Sequence, residues 1–121
     1  MKKIIFGLIV ALMLWVSCTP EKDDAVTNIP PGIIPPDSMT LVITEMQVTE
    51  AILREFKRRG SHNEDRAVVF YDQTFEKLGI THERYKKSLA FYEDHQETYY
   101  EIYKDVISRL TEMQTGITNS K

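Results

Sequence analysis

The apolar residues that follow Pro36 recur with the spacing of an α-helix. At 100° per residue, the main face of this first helix consists of Met39, Val42, Ile43, Met46, Leu53 and Phe56. A second apolar stripe lies nearly opposite and consists of Leu41, Val48 and Ile52. A helix that is apolar on two faces is typical of one packed between other helices. We therefore expect the first helix to be the central one.

Polar residues and a glycine mark the ends of this first helix. Asp37 or Ser38 is expected to cap its start, because these side chains accept hydrogen bonds from first-turn amides. Gly60 is expected to stop it after about Arg59, because glycine readily takes the left-handed conformation that ends helices.

Three further helices are predicted by the same signals, a cap and an apolar stripe. Ser61 and Glu64 form a capping box that opens the second helix. Thr81 is the expected cap of the third helix, and Asp94 of the fourth. The three stripes are, in chain order, Val68, Tyr71, Phe75 and Leu78; Tyr85, Leu89 and Tyr92; and Tyr99, Ile102, Tyr103, Val106, Leu110 and Met113.

Glycines are expected to end two of these helices, Gly79 the second and Gly116 the fourth. After Pro36 we find no stretch that alternates polar and apolar residues as a half-buried strand would. The sequence therefore predicts an all-α fold, a small bundle of about four helices over residues 37–121. A domain of this size buries about 60% of its surface, which is enough for a modest core.

The chain begins with the pattern of a secretory signal peptide. Lys2 and Lys3 precede an uncharged apolar run from Ile4 to Val16. As a helix this run would be roughly 20 Å long, which is short for a bilayer core of roughly 30 Å. We interpret residues 1–17 as a signal peptide.

Cys18 is the only cysteine and directly follows that signal. Val16 and Ser17 suit the last positions of a lipobox, although Trp15 stands where leucine is usual. The interpretation is a bacterial lipoprotein whose mature chain begins at a lipidated Cys18. Cleavage by another signal peptidase and an uncleaved anchor are the alternatives.

Residues 18–36 hold all five prolines of the chain and are interpreted as a flexible tether. The eighteen residues after Cys18 would reach about 55 Å at most in an extended polyproline-like conformation. Ile29, Ile33 and Ile34 are too apolar for a pure spacer, so the end of the tether is expected to pack on the domain.

The charge balance argues against two classes of partner. Without Lys2 and Lys3, the mature chain has 13 of the 15 basic residues and all 18 acidic ones, a formal net charge of −5. Nucleic acid and anionic lipid both favour a basic surface, so neither is an expected partner. The membrane contact is expected to be the N-terminal lipid.

Two long stretches of the domain resemble a known family. They are "IPPDSMTLVITEMQVTEAIL" and "FYDQTFEKLGITHERYKKSLAFYEDHQETYYEIYKDVISRL". They are similar to small Bacteroidetes lipoproteins that share a domain of unknown function, DUF4296. The matching positions are Pro36-Asp37, Glu50-Ala51, Gly79-Ile80-Thr81, Ser88-Leu89 with Tyr92, and Ile102-Tyr103 with Val106 and Leu110. The resemblance implies a cell-envelope protein of the outer membrane, and the family has no assigned activity.

The acidic run after the cysteine also resembles a sorting signal. Lys22, Asp23 and Asp24 are similar to the signal that sends some lipoproteins of these bacteria to the cell surface. The simpler interpretation is a solvated, self-repelling tether. Display on the surface and a periplasm-facing anchor are both kept as hypotheses.

Glu50 is the candidate for a buried polar residue. It lies between Met46 and Leu53 on the main apolar face of the first helix. A buried carboxylate needs hydrogen-bond donors, and without them its pKa rises into a range useful for acid–base chemistry. The expectation is structural: a tyrosine hydroxyl or a helix N-terminus satisfies it.

The sequence predicts neither a metal site nor an enzyme. His62, His82 and His95 each stand at the start of a predicted helix, without the i, i+4 spacing of paired ligands. We find no nucleophile with an adjacent base, no glycine-rich phosphate loop and no paired catalytic carboxylates. No cofactor and no small-molecule substrate are expected.

Three aromatic residues are off the apolar stripes of their helices: Phe70, Phe91 and Tyr100. Exposed aromatic side chains are typical of protein interfaces, so these three are the candidate partner surface. The leading hypothesis is a lipid-anchored binding or scaffold module for another envelope protein. The alternative is a chaperone-like holder of unfolded chains, because "LGITHERYKKSL" resembles helical domains of periplasmic chaperones of the SurA type.

Overall fold

The computed structural model describes residues 25–61 and 64–119. They form four α-helices: α1 Pro36–Arg58, α2 Glu64–Leu78, α3 His82–Glu93 and α4 Gln96–Asn119. No strand occurs among these residues, so the predicted all-α bundle is confirmed. The predicted lipidation site Cys18, the acidic run Lys22, Asp23 and Asp24, and His62 lie outside the described residues.

Helix α1 begins with a proline and not with a polar cap. Pro35 is the N-cap residue, and its carbonyl accepts a hydrogen bond from the Met39 amide at 2.7 Å. Pro36 occupies the first helical position, where its missing N–H costs nothing and its fixed φ suits the helix. The prediction of Asp37 or Ser38 as the cap was therefore wrong. Asp37 lies in the first turn, where its charge complements the helix dipole.

The end of α1 follows the prediction. The Arg59 amide donates to the Glu55 carbonyl at 3.0 Å, and the Gly60 amide donates to Lys57 at 3.1 Å. Gly60 has φ +72°, the left-handed conformation that glycine adopts without steric cost.

One apolar face of α1 is buried and the other is not. Met39, Val42 and Ile43 lie in the core, which confirms the main stripe. In the second stripe Leu41 is 46% exposed, Ile52 is 40% exposed and Val48 is half-buried, so the expectation of burial on two faces was wrong.

Threonines extend the buried face of α1. Thr40 and Thr44 are buried, and their hydroxyls donate to the carbonyls of Pro36 at 3.1 Å and Thr40 at 2.7 Å. A hydroxyl bonded to the carbonyl four residues earlier leaves only a methyl group to pack. Threonine therefore behaves here as a small apolar residue.

Helices α1 and α2 are antiparallel neighbours. The hydroxyls of Thr49 and Thr74 are 2.8 Å apart, and Lys77 Nζ is 2.9 Å from Glu45 Oε2. From the first contact to the second, the residue number falls from 49 to 45 in α1 and rises from 74 to 77 in α2, as expected for an antiparallel pair.

Short connections link the remaining helices. Gly79 closes α2 with φ +64°, and the Thr81 hydroxyl accepts a hydrogen bond from the Arg84 amide at 3.1 Å, as predicted. Asp94 closes α3 and does not cap α4, whose first-turn Tyr99 amide donates to the His95 carbonyl at 3.0 Å. Helix α4 continues past Gly116 to Asn119, so the predicted stop at Gly116 was wrong.

The segment before α1 is part of the packed body. Ile33 and Ile34 are buried, which confirms that the end of the proline-rich segment packs on the domain. The Ile34 amide donates to Ser88 Oγ at 2.8 Å, and the Val26 amide donates to Thr98 Oγ1 at 3.0 Å. The core is formed by Ile33, Ile34, Met39, Val42, Ile43, Met46, Phe75, Tyr92, Ile102 and Val106.

Candidate functional site

The C-terminal half of α1 and Leu110 of α4 line an open apolar groove of 540 Å³. We call it the α1–α4 groove. Its lining residues are Gln47, Val48, Ala51, Ile52, Arg54, Glu55, Phe56, Arg59 and Leu110. Two residues of the second predicted stripe, the half-buried Val48 and the exposed Ile52, therefore line a surface groove.

The apolar face of α4 continues past the groove into solvent. Ile102 and Val106 are buried, Leu110 is half-buried and Met113 is 45% exposed. Because these residues follow one another at helical spacing, the stripe that builds the core ends as an exposed apolar strip beside the groove.

The end of α1 that borders this groove is basic. Its last turns and C-cap contain four basic residues and one carboxylate, that of Glu55. The basic residues are Arg54, Lys57, Arg58 and Arg59. Glu55 accepts hydrogen bonds from Arg58 at 2.7 and 2.8 Å and from Arg59 at 2.6 Å. The guanidinium of Arg58, and then that of Arg59, holds the pKa of Glu55 below its ordinary value. A chain of net acidic charge thus has a locally cationic end.

The three aromatic residues of the predicted partner surface lie on three different helices. Phe70 on α2 is half-buried, with its ring centroid 5.7 Å from that of Phe56. Phe91 on α3 is half-buried against His95, at 4.3 Å between centroids. Tyr100 on α4 is 66% exposed. No aromatic ring contact joins any two of these three described residues, and their role as a partner surface stays a prediction.

Tyr100 lines a second open groove at the start of α4. This groove of 640 Å³ is formed by Glu93, Gln96, Tyr99, Tyr100 and Tyr103. The rings of Tyr99 and Tyr103 meet edge to face at 4.7 Å. Burial, and then the hydrogen bond with Tyr103, raises the pKa of Tyr99, so the Tyr99 phenol is a neutral hydrogen-bonding group at physiological pH.

Glu50 is half-buried and is joined to α2 by Tyr71, whose hydroxyl donates to Glu50 Oε1. This bond to a carboxylate, together with burial, raises the pKa of Tyr71 to about 12, because ionisation would place two negative charges side by side. A tyrosine hydroxyl was one of the two donors that the sequence suggested. The carboxylate therefore has a structural partner.

Tyr71 also lines a small pocket between α1, α2 and α3, which we call the α2–α3 pocket. Its volume is 330 Å³, and its lining residues are Met46, Val68, Tyr71, Asp72, Phe75, His82 and Tyr85. The Phe75 ring lies 5.3 Å from that of His82 and 5.6 Å from that of Tyr85, with interplanar angles of 34° and 49°.

Sequence reasoning missed the α2–α3 pocket, although a signal for it existed. Tyr71 and Phe75 are four residues apart before the Gly79 turn, and His82 and Tyr85 are three apart after it. A tight turn between two helices brings such flanking pairs together. The sequence interpretation places Tyr71 and Phe75 on one stripe, Tyr85 on another, and His82 only at the start of a helix.

The described histidines have local aromatic and backbone contacts. His82 packs on Phe75, and His95 Nδ1 lies 2.7 Å from the Phe91 carbonyl oxygen. In residues 25–61 and 64–119, no three side chains of histidine, cysteine, aspartate or glutamate come together as metal ligands would. Over the same residues, the helices are too short or too polar to cross a bilayer.

Similarity to known proteins is found at the level of a family. No curated protein and no solved structure matches the chain. A sequence model of the family described as a domain of unknown function (DUF4296) matches residues 30–116. The match begins in the segment that precedes α1, includes α1, α2, α3 and most of α4, and covers well over half of the chain. The chain therefore belongs to the family that carries this domain of unknown function, DUF4296.

Proposed function

We propose that this protein is a lipid-anchored binding module of the cell envelope, whose α1–α4 groove receives a helix of another envelope protein. The groove is the observation that carries the proposal. It exposes apolar side chains of α1 beside the apolar strip of α4, and exposed apolar surface of this kind is typical of a protein interface. The basic n-region, the apolar run and Cys18 support the anchor.

The occupant is an amphipathic helix that carries acidic residues. A groove between two helices fits the apolar face of a third, which would present residues at i, i+3, i+4 and i+7. Arg54 and Arg59 line the groove, and Glu55 is the one carboxylate in its lining. Lys57 and Arg58 add positive charge in the last turn of α1, so carboxylates on the partner would be attracted. Nucleic acid is disfavoured because the chain as a whole is acidic.

The lipid would hold the domain close to the membrane, with the groove at a distance from the anchor. Val26 is bonded to Thr98, so only residues 19–25 connect Cys18 to the body, a reach of about 22 Å when extended. This is much shorter than the reach of about 55 Å expected for a tether that ends at Pro36. Leu110 lies twelve residues further along α4 than Thr98, which is about 18 Å of helix.

The anchor is tested by intact-protein mass spectrometry of the mature chain, extracted from membranes of a bacterium that processes lipoproteins. We expect Cys18 as the first residue with diacylglycerol and acyl groups attached, and we expect Cys18→Ser to leave the membrane fraction. A mature chain that begins elsewhere would exclude the lipid anchor and leave the groove proposal to its own test.

The outer-membrane address, including display at the cell surface through Lys22, Asp23 and Asp24, is part of the same proposal. Protease treatment of intact cells tests the orientation. Digestion of the wild-type domain, together with protection when the three residues are replaced by alanine, supports display. Complete protection of the wild type, with a surface control cleaved, indicates a periplasm-facing anchor.

The groove is tested by crosslinking the mature protein in its native membranes and comparing matched variants. Ile52→Glu places a charge on the groove floor, and Val69→Glu makes the same kind of change on the exposed part of α2. A stoichiometric partner that is retained by Val69→Glu and lost with Ile52→Glu supports the proposal. Arg54→Glu with Arg59→Glu should weaken the same complex if the partner is acidic.

The chaperone-like alternative makes a different prediction in the same experiment. A holder of unfolded chains would crosslink to many proteins without fixed stoichiometry and would suppress aggregation of an unrelated denatured protein. Such a result, together with loss of that activity in Ile52→Glu, would replace the partner-helix proposal.

A further inference from the structure

We propose that the α2–α3 pocket binds an organic ammonium group, as found on a small amine or on the headgroup of an amine-bearing lipid. Tyr71, Phe75, His82 and Tyr85 surround a space of 330 Å³ with Met46 and Val68, and Asp72 lies in the lining. This site is separate from the α1–α4 groove, and none of its lining residues is shared with it.

The aromatic residues supply the first part of the recognition. A cation is attracted to the face of an aromatic ring by the ring quadrupole, and several rings around one cavity add their attractions. Phe75 lies between His82 and Tyr85, at 5.3 and 5.6 Å between centroids, and the rings are tilted rather than parallel. Tilted rings do not cover each other's faces completely, which leaves part of those faces to the cavity.

The charges around the pocket supply the second part. The lining contains one carboxylate, Asp72, and neither a lysine nor an arginine. The carboxylate of Glu50 accepts the hydroxyl hydrogen of Tyr71, which increases the electron density of that ring. The field of Glu50 also reaches Tyr85, whose pKa is raised by burial, by Tyr103 and by Glu50. Carboxylates beside an aromatic cavity favour a cation over a neutral group of equal size.

The size of the pocket limits the ligand to a small group. Pockets for drug-sized ligands occupy about 300–1,000 Å³, so this one is at the lower end of that range. A trimethylammonium or an aminoethyl group fits this space with its substituent directed outwards. A free amine and a lipid headgroup present the same chemistry to the rings, and only the substituent distinguishes them.

The test is isothermal titration calorimetry of the mature full-length protein with choline and with its neutral isostere 3,3-dimethylbutan-1-ol. We expect saturable choline binding with a Kd of about 1 mM or tighter, and binding of the isostere about tenfold weaker. Equal affinity for the two probes, or no saturable binding of choline or ethanolamine, would overturn the proposal. Dihexanoylphosphatidylcholine and dihexanoylphosphatidylethanolamine below their micellar concentrations serve as lipid probes. Tighter binding of either than of the matching free amine assigns the site to a lipid headgroup.

Matched variants locate the binding. Asp72→Asn and Tyr85→Leu should each weaken choline binding by about fivefold or more, while Asp105→Asn, an equal change of charge on the exposed side of α4, should leave it unchanged. Circular dichroism of each variant shows whether it is folded. Should Tyr85→Leu fail to fold, Asp72→Asn alone decides, because that exposed side chain is not part of the core. Unchanged affinity in folded Asp72→Asn would contradict the proposal.

Discussion

Tyr92 on α3 donates its phenolic hydrogen to the backbone carbonyl of Ile34, at 2.7 Å and across 58 positions of sequence. The amide of the same residue, Ile34, donates to Ser88 Oγ at 2.8 Å. Both polar groups of one backbone residue are therefore satisfied by side chains of α3. Ser88 in turn donates to the Arg84 carbonyl, so this buried polar group is fully bonded.

Replacement of Tyr92 by phenylalanine tests how strongly this contact holds the segment before α1. Tyr92→Phe keeps the buried ring and removes the donor to the Ile34 carbonyl, so we expect a loss of about 1–3 kcal/mol in the free energy of unfolding. Urea unfolding followed by circular dichroism measures it. Tyr100→Phe, on an exposed side chain, is the control and should change stability by less than about 0.5 kcal/mol. Equal effects in the two variants would show that the bond contributes nothing net.

The two apolar stripes of α1 give a second prediction. Ile43→Ala removes a side chain from the core and should cost about 2–5 kcal/mol of stability. Leu41→Ala removes a similar volume from an exposed position and should cost less than about 1 kcal/mol. Thermal unfolding of the two variants provides the comparison. A large loss in Leu41→Ala would mean that another molecule, such as a second copy, covers this stripe under the conditions of the measurement.

The same pair of stripes shows how far the sequence determines the fold. Periodicity identified the buried residues Met39, Ile43, Ile102 and Val106, because a helix that must pack keeps one face apolar. Periodicity alone could not tell that Leu41 and Ile52 are exposed, because an apolar stripe does not say what covers it. Periodicity also missed the buried threonines Thr40 and Thr44, because it counts threonine as polar. Each hydroxyl donates to a carbonyl on the same helix, so the rest of the side chain packs as an apolar group.

Long-range contacts explain most of what the sequence left undetermined about the candidate sites. The α2–α3 pocket depends on the angle between α2 and α3, which the turn at Gly79 sets. The α1–α4 groove depends on two helices that are far apart in sequence and adjacent in space. Glu50 is the intermediate case. Its position on α1 predicted a need for a donor, and the tertiary structure supplies Tyr71.

Two glycines that the sequence treated alike should respond to alanine in opposite directions. Gly79 has φ +64°, so Gly79→Ala should lower the free energy of unfolding by about 1 kcal/mol through backbone strain. Gly116 lies within α4 without a positive φ and with open space around it, so Gly116→Ala should raise helix stability by about 0.5–1 kcal/mol. Thermal unfolding measures the first, and amide hydrogen exchange of the last α4 turns measures the second. A loss of stability in Gly116→Ala would mean that the helix ends there in solution.

The Tyr71–Glu50 pair predicts a dependence of stability on alkaline pH. The pKa of Tyr71 is about 12 in the folded state and 10.0 for an unperturbed phenol, so the folded state keeps its proton where the unfolded state has lost it. Stability that is present below pH 10 is therefore lost as the pH rises from 10 to 12. Glu50→Gln should lower the pKa of Tyr71 towards 10, and ultraviolet absorbance of the phenolate follows the titration. Tyr71→Phe identifies which of the six tyrosine transitions is involved, and an unchanged profile in Glu50→Gln would rule out this coupling.

The buried hydroxyls of Thr49 and Thr74 predict an asymmetric double-mutant cycle. Thr74 has one hydroxyl hydrogen and donates it to the Phe70 carbonyl at 2.8 Å, so Thr49 must be the donor in the 2.8 Å contact between the two hydroxyls. Thr74→Val leaves the Thr49 hydroxyl without its acceptor, whereas Thr49→Val leaves Thr74 still bonded to α2. We therefore expect Thr74→Val to cost about 1–3 kcal/mol, Thr49→Val less, and the double variant to cost less than the sum. Chemical denaturation of the four proteins completes the cycle, and additive costs would show that the two hydroxyls are not coupled.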